Sequence, residues 1–468
     1  MCVFNVKLRS EKNIKHQQVY AANTASQKND LHKMKRQFLV LLSCWLLAYQ
    51  AQAAYILIYM NPQQKDHLKA YGVAYRALQG GATVDWLLNY EDGSFALPYV
   101  AAIEAECKIR GVSYEILPDA KYTGILSEIA EPTANMDVVK LEKVPKIAVY
   151  TPQVDSTKAA KILSGKPHHP SLPWDDAVTM VLEYAEIPFD RVYDEEVLSN
   201  VLVKYDWLHL HHEDFTGQYG RFYSSYRGQP WYIDQQNYEE NKAKELGFNK
   251  VSQMKLAVAK KIKQYVAGGG FMFAMCSATD TYDIALASEG IDICSSMFDG
   301  DGADANANQK LNYENGFAFE GYQLEMNPMV YEFSNIDVPT PRVVPKDADY
   351  FTLFDFSAKW DPVPSMLTQD HTHIVKGFMG QSTAFRKKFV KSNVLILGEN
   401  KSADETRYIH GEFGEGFWTF YGGHDPEDYQ HMVGDPETKL ELHPNSPGYR
   451  LILNNVLFPA AKKKKRKT

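Results

Sequence analysis

Between Gly268 and Thr281 the chain reads Gly-Gly-Gly-Phe-Met-Phe-Ala-Met-Cys-Ser-Ala-Thr-Asp-Thr. Three glycines lead five apolar residues, the apolar run stops at Cys276, and the small polar residues that follow suit the start of a helix. Just upstream, Lys255 to Val266 carries apolar residues at helical spacing. Helix, strand and helix in direct succession leave few folds open, because such units pack as parallel strands covered by helices. The junction is a strand-to-helix elbow that lifts Cys276 over the sheet edge, at the positive end of the next helix. A helix N-terminus lowers a thiol's pKa, so the position predicts a nucleophilic thiolate. A buried structural cysteine at a strand end is the competing expectation.

The rest of the chain extends the same alternation. Tyr55–Met60, Val84–Leu88 and Ser113–Leu117 read as strands, with helices over His67–Leu78 and Tyr99–Arg110, and these define a small α/β domain over 54–142. The irregular, Pro-containing stretch from Pro118 to Lys146 ends it. A second domain spans 146–459. Its strands are Lys146–Tyr150, Phe189–Tyr193, Trp207–Leu210, the elbow strand and Phe417–Tyr421, with a helix from Trp174 to Ala185. The fold class expected is α/β, a doubly wound parallel sheet with flavodoxin-like layers. Residues 297–395, rich in Tyr, Phe, Asn and Pro, form an insertion expected to cap the site as extra loops and strands.

Two segments carry a family resemblance. The elbow Gly268–Thr281 and the run Gly414-Glu-Gly-Phe-Trp-Thr-Phe-Tyr-Gly-Gly-His-Asp-Pro-Glu427 resemble the corresponding stretches of trehalose-utilisation (ThuA-like) proteins. That resemblance implies the class I glutamine amidotransferase-like fold. The family usually has His at the elbow, whereas Cys276 is the residue type of the true amidotransferases. Asp66–Tyr75, Val84–Tyr90 and His209–Gly217 also resemble secreted bacterial proteins that bear the name asparagine synthetase B. The motifs of a glutamine-dependent asparagine synthetase are missing: Cys2 is followed by Val3-Phe4 instead of Gly-Ile, and there is no Ser-Gly-Gly pyrophosphate loop.

The chemistry to which these residues point is hydrolysis or group transfer at an amide or related bond. Cys276 is the candidate nucleophile and His424, at the end of an apolar strand after two glycines, the candidate base. The amidotransferase resemblance implies a carboxylate close after that His; Glu427 is the first candidate and Asp425 the second. Oxyanion donors are expected from the amides of Ser277 and of the Phe215–Gly220 loop, where Gly217 and Gly220 permit close approach. His211, His212, Asp214 and Asp280 lie at strand ends or the helix start as candidate binding residues. Tyr219 and Tyr223 open an aromatic run to Tyr232 that could stack on sugar rings. A non-catalytic glycan-binding protein on the same fold is therefore the alternative function. His-x-His recurs at His209/His211 and His371/His373, yet no His-Glu-x-x-His or paired-Cys motif exists, so no metal is expected, and no other cofactor.

Composition narrows the partners. The chain has 50 Lys+Arg against 58 Asp+Glu, net −8. The basic residues concentrate before residue 54 and in the tail Lys462–Lys467 (within a disordered end at 460–468), so the body is more acidic than the total. Nucleic acid is excluded as a partner, and a small molecule or glycan is expected. Residues 34–53 read as a signal peptide: Lys35-Arg36, the apolar run Phe38–Tyr49, and Ala51-Gln52-Ala53 as the cleavage site. Residues 1–33 read as an extension upstream of the true start. A periplasmic or secreted protein with no stable membrane span follows, and a lipoprotein acylated at Cys44 is the alternative. Export leads to an oxidising space, in which Cys107 could pair with Cys294.

Overall fold

The computed structural model describes Arg36, 54–152, 174–338, 342–368, 372–430 and 432–461. Signal peptide, cleavage site, Cys44, the upstream extension (Arg36 aside) and the Lys462–Lys467 tail lie outside these residues. The chain divides into two compact units. The smaller holds Ala54, Tyr55 and Leu117–Thr123, and in it Tyr55 stacks on Tyr122 with ring centroids 4.0 Å apart. The body comprises Ile56–Ile116 and Gly124–Thr468.

The architecture is mixed α/β. One sheet has five strands in the order β4 (Glu115–Pro118), β1 (Ala54–Ile58), β3 (Ser94–Pro98), β2 (Val84–Leu88), β5 (Asp137–Leu141), and β2 pairs antiparallel with both β3 and β5. The second sheet has ten strands. Its parallel half runs β7 (Asp190–Val192), β6 (Ile147–Tyr150), β8 (Trp207–His211), β9 (Phe271–Met275), β15 (Gly416–Tyr421). It continues antiparallel through β14 (Glu405–Phe413), β13 (Leu395–Asn400), β10 (Tyr350–Leu353) and β11 (Ile374–Lys376), with β12 (Phe385–Arg386) on β14. The expected insertion thus does more than cap a site, because β10 to β12 extend the sheet. Strands are expected within that insertion without positions, and β10 to β13 begin inside it while β14 (Glu405–Phe413) lies beyond its end.

Alternation along the parallel strands builds a core on each face. Phe271, Phe273 and Met275 enter one apolar cluster, with Trp207, Val149, Leu182 and Leu451; Met272 and Ala274 enter the other, with Leu210, Val258, Ile262 and Tyr282. The first cluster is continuous with Ile58, Tyr71 and Trp86, so the five-stranded sheet and the ten-stranded sheet share buried apolar contacts. Polar bonds reinforce this: Tyr75 Oη donates to the Pro145 carbonyl at 2.7 Å, and Arg450 Nε lies 3.2 Å from Tyr71 Oη.

The helix expected over Trp174–Ala185 begins later, at Ala177–Tyr184. Asp176 caps it, accepting from the amides of Val178 and Thr179 at 2.8 and 3.0 Å. An Asp at the N-cap satisfies amides that have no partner within the helix, and the shift frees Trp174, Asp175 and Asp176 from helical geometry. All three described cysteines are free and buried, so Cys107 and Cys294, which could have paired, do not. Cys107 packs in the first apolar cluster and Cys294 in a third, where its thiol donates to the Thr216 carbonyl at 3.4 Å. No described helix is long and apolar enough to cross a membrane.

Candidate functional site

Cys276 follows β9 directly and is the N-cap of the helix Ser277–Ala287. Its backbone sits at φ 52°, ψ −140°, a region that L-residues rarely occupy and that costs on the order of 1–3 kcal/mol. The elbow is therefore real and strained. Thr279 ties it down, donating to the Cys276 carbonyl through both N–H (3.1 Å) and Oγ1 (2.7 Å). The thiol itself departs from expectation. It is fully buried, and burial pushes it up to about 12 against the pull of the Ser382, Gln381 and Ser277 amides. Desolvation outweighs those donors, and the nearby Asp337 charge also raises the thiol.

The donors around the sulfur come from a segment outside the expected loop. The Gln381 amide donates to Sγ at 3.2 Å. Its neighbour Gly380 lies against the end of β15: a methyl group there would meet the His424 nitrogen at 2.9 Å and Sγ at 3.1 Å. Backbone bonds fasten this segment to the strand end, from the His424 amide to the Met379 carbonyl and from the Gly423 amide to the Ser382 carbonyl, both 2.9 Å. Sequence reading passed over Gly380, Gln381 and Ser382 because they sit deep in the presumed insertion. The one local signal was Gly377-Phe-Met-Gly-Gln-Ser-Thr383, small polar residues between glycines.

The Phe215–Gly220 loop is organised differently from expectation. Asp214 is its hub. The Thr216, Gln218 and Gly220 amides donate to its carboxylate at 2.7, 2.8 and 3.0 Å. Gly220 therefore has its amide engaged, and Gly217 packs so tightly on Ser252 that a Cβ would lie 2.6 Å from its nitrogen. The Gly220 amide is thus taken by Asp214, and the Asp214 carboxylate holds its own loop together. Ser277 keeps its place beside the thiol. The aromatic run likewise packs on itself. Tyr219 and Tyr232 are buried in the third cluster, Trp174, Phe222 and Trp231 make ring contacts at 5.3–5.7 Å, and Tyr223 packs edge-on to Phe298.

His424 is the second correction. Its ring lies among histidines: Nδ1 is 2.7 Å from Nε2 of His211, and Nε2 is 3.2 Å from Oδ1 of Asp175. Glu427 is not its carboxylate partner, since that side chain meets Nδ1 of His443 at 3.0 Å. Asp425 accepts from Tyr449 Oη (2.8 Å) and the Glu427 amide (2.9 Å). The turn at Pro426 carries Glu427 away from the imidazole. Asp175 takes the role, from the Trp174-Asp175-Asp176 run that precedes the helix instead of opening it.

His211 ends β8 opposite Met275, and Tyr421 pairs with Met275 from the other side, so His212, Cys276 and Gly422 leave the sheet side by side. His209 and His211 face the same way, two residues apart on one strand. Asp176 Oδ1 lies 3.3 Å from His209 Nε2 and 3.2 Å from His211 Nδ1. Burial would raise Asp176, but His209 and His211 hold it well below the usual carboxylate range, while burial lowers His209. The His212 ring stacks parallel to that of His211 with centroids 4.7 Å apart and lies 4.2 Å from that of His424, on a backbone at φ 53°. One ring nitrogen from each of His211, His212 and His424 falls within 4.8 Å of the others. His373 is not part of this group, and His371 lies outside the described residues.

Asp280, one turn into the elbow helix, is fully buried and accepts from Ser382 Oγ at 2.6 Å. Burial pushes its carboxyl up to about 7. The folded protein keeps this proton to higher pH than the unfolded chain, which releases it near pH 4. The stability it contributes is present below that pH and is lost as pH rises to about 7. The loss runs at about 1.4 kcal/mol per pH unit over that window. Asp280→Asn mimics the protonated acid, and its amide oxygen still accepts from Ser382. The gap between wild type and this variant in urea melts is expected to move steadily in favour of the variant from pH 4 to 7. A constant gap would mean that Asp280 is ionised throughout.

No family model matches the chain, and no curated protein matches it. Among solved structures it is similar to cytoplasmic protein STM3548 from Salmonella typhimurium, at 12% identity over 67% of this chain and 97% of that one, with a TM-score of 0.29. Cytoplasmic protein STM1381 from Salmonella typhimurium LT2 matches at 14% identity over 62% and 89%, with a TM-score of 0.30. Gan42B, a GH42 beta-galactosidase from G. stearothermophilus, matches at 12% identity over 60% and 27%, with a TM-score of 0.24. Likenesses at these scores carry no argument about function.

Proposed function

We propose that this chain is a hydrolase or group transferase acting at an amide or related bond, with Cys276 as its nucleophile. The strained, buried elbow carries this reading. A non-glycine residue held at φ 52°, ψ −140° between a strand and a helix has the backbone of a nucleophile turn. The surroundings support it further: the Gln381 amide donates to the sulfur, and Ser277 and Ser382 present theirs nearby. These donors suit the oxygen that becomes negative when a nucleophile adds to a carbonyl. Because burial keeps the thiol protonated, attack requires that its proton leave as the carbonyl binds. His424, at a neighbouring strand end, is the first acceptor to consider, and because His211 and Asp175 engage both its ring nitrogens at 2.7 and 3.2 Å, taking the proton requires that it give up one of these contacts.

The strand order β7-β6-β8-β9-β15, with apolar residues on both faces, favours the doubly wound, amidotransferase-like reading of the larger sheet. Export to the periplasm or beyond is part of the same proposal and rests on Lys35-Arg36, the apolar run and Ala51-Gln52-Ala53.

A chloroketone or diazoketone analogue of glutamine tests the reading. Incubation is expected to add the mass of one analogue residue to wild type, on the peptide holding Cys276, and nothing to Cys276→Ser. Equal labelling of Cys107 or Cys294 peptides, or none at any cysteine, would sink the proposal.

A further inference from the structure

The geometry points to a divalent metal centre of the zinc class at His211, His212 and His424, with Asp176 and Asp175 orienting two of the rings. A carboxylate only accepts, so a ring nitrogen hydrogen-bonded to it donates. His424 Nε2 donates to Asp175 at 3.2 Å, and His211 Nδ1 lies 3.2 Å from Asp176 without hydrogen-bond geometry. In the neutral His424 ring the opposite nitrogen, Nδ1, then carries a lone pair, and it faces His211 Nε2 at 2.7 Å. That lone pair takes either a proton shared with His211 Nε2 or a cation.

A shared proton would need two rings, and the fold supplies three. His212 is brought beside them at φ 53°, its ring centroid 4.2 Å from that of His424. Three imidazoles, each with a nitrogen within 4.8 Å of the others, match the ligand set of a catalytic zinc site, which leaves a fourth position for water or substrate. Outer carboxylates on the far nitrogens are the usual second layer of such sites, fixing tautomer and ring orientation. About 0.6 Å of separation between the two facing nitrogens would admit the ion, since tetrahedral zinc with bonds of about 2.0–2.1 Å places its ligand atoms roughly 3.3 Å apart.

This inference goes beyond the hydrolytic proposal and does not need it, because metal content is read without substrate. Untagged full-length protein would be stripped with chelator, dialysed, and titrated with Zn²⁺ and with Co²⁺. One ion per chain is expected, with the intense visible bands of tetrahedral Co²⁺. His212→Asn and His424→Gln should each abolish stoichiometric binding. Asp175→Asn should weaken Kd by roughly 10–100-fold, and Cys276→Ser should bind as wild type does. Asp175→Asn keeps every ligand and the side-chain volume, so it reports on the site even where a histidine variant fails to fold. Absence of stoichiometric binding by wild type, or unchanged affinity in Asp175→Asn, would overturn the metal centre and leave a shared proton between His211 and His424.

Discussion

Asp349→Ala is expected to cost about 3–5 kcal/mol, enough to unfold a domain of ordinary stability. Asp349 is fully buried and accepts from Arg407 Nη2 on both oxygens at 2.9 Å, from Arg342 Nη2 at 3.1 Å and from Tyr429 Oη at 3.2 Å; Arg342 Nε lies 2.9 Å away. Arg342 reaches on to Glu405 at 2.7 Å. Removing the carboxylate would leave the Arg407 guanidinium buried without its principal countercharge. Replacing Asp349 and Arg407 together by apolar residues of similar size should cost less than the single change, since the stranded charge goes with its partner. Urea melts of the two singles and the double decide it. A single-variant loss below about 1 kcal/mol would show that water reaches the arginines and screens them. The site is expected to feel the change too. Asp349 accepts the Gly377 amide through its carbonyl, and Arg407 holds the Phe378 carbonyl, so this network anchors the strand leading to Gly380 and Gln381 beside the thiol.

That network also shows what the sequence could not reveal. Period-2 apolar runs and glycine stops located β1, β2, β6, β8, β9 and β15 within a residue or two, because local pattern determines such strands. β10 to β14 could not be placed, although strands were expected in that insertion, because their pairing is long-range and their runs are interrupted by charged residues such as Arg407 and Glu405, whose burial is legible only once their partners are known. Cys276 and His424 are legible as strand ends, and the Cys276 sulfur and the His424 backbone nitrogen both border the space beside Gly380, 3.1 and 2.9 Å from where its Cβ would lie. The partners were not. Asp175 lies far from His424 in sequence and looked like the first turn of a helix, while Glu427, three residues away, looked like the natural carboxylate. Chain proximity was the wrong guide, since Pro426 turns Glu427 toward His443. Pattern also misjudged the thiol, because a helix start predicts a lowered pKa only where solvent or a cation helps to hold the charge.

The largest effect on activity is expected at Cys276, where stability and function should separate. Removing the nucleophile as Cys276→Ala should lower turnover of a reactive amide by about 10⁴-fold or more, the loss seen when a catalytic unit loses its attacking atom. The glycine variant adds the test of strain. At an ordinary position glycine is less stable than alanine by roughly 0.5–1 kcal/mol, because it loses more backbone freedom on folding. At φ 52°, ψ −140° alanine keeps the clash and glycine removes it, so the order should invert and Cys276→Gly should unfold at higher urea than Cys276→Ala. Both variants delete the buried thiol, so the lost packing nearly cancels between them and the difference reports the backbone alone. Turnover should be lost equally in both. An elbow that exists to aim the sulfur stores strain that the inactive glycine protein no longer carries. If alanine proves the more stable replacement, the turn is unstrained and its shape says nothing about catalysis. If either variant keeps turnover within a few-fold of wild type, attack comes from another group on the rim, and the histidine centre becomes the place to look for it.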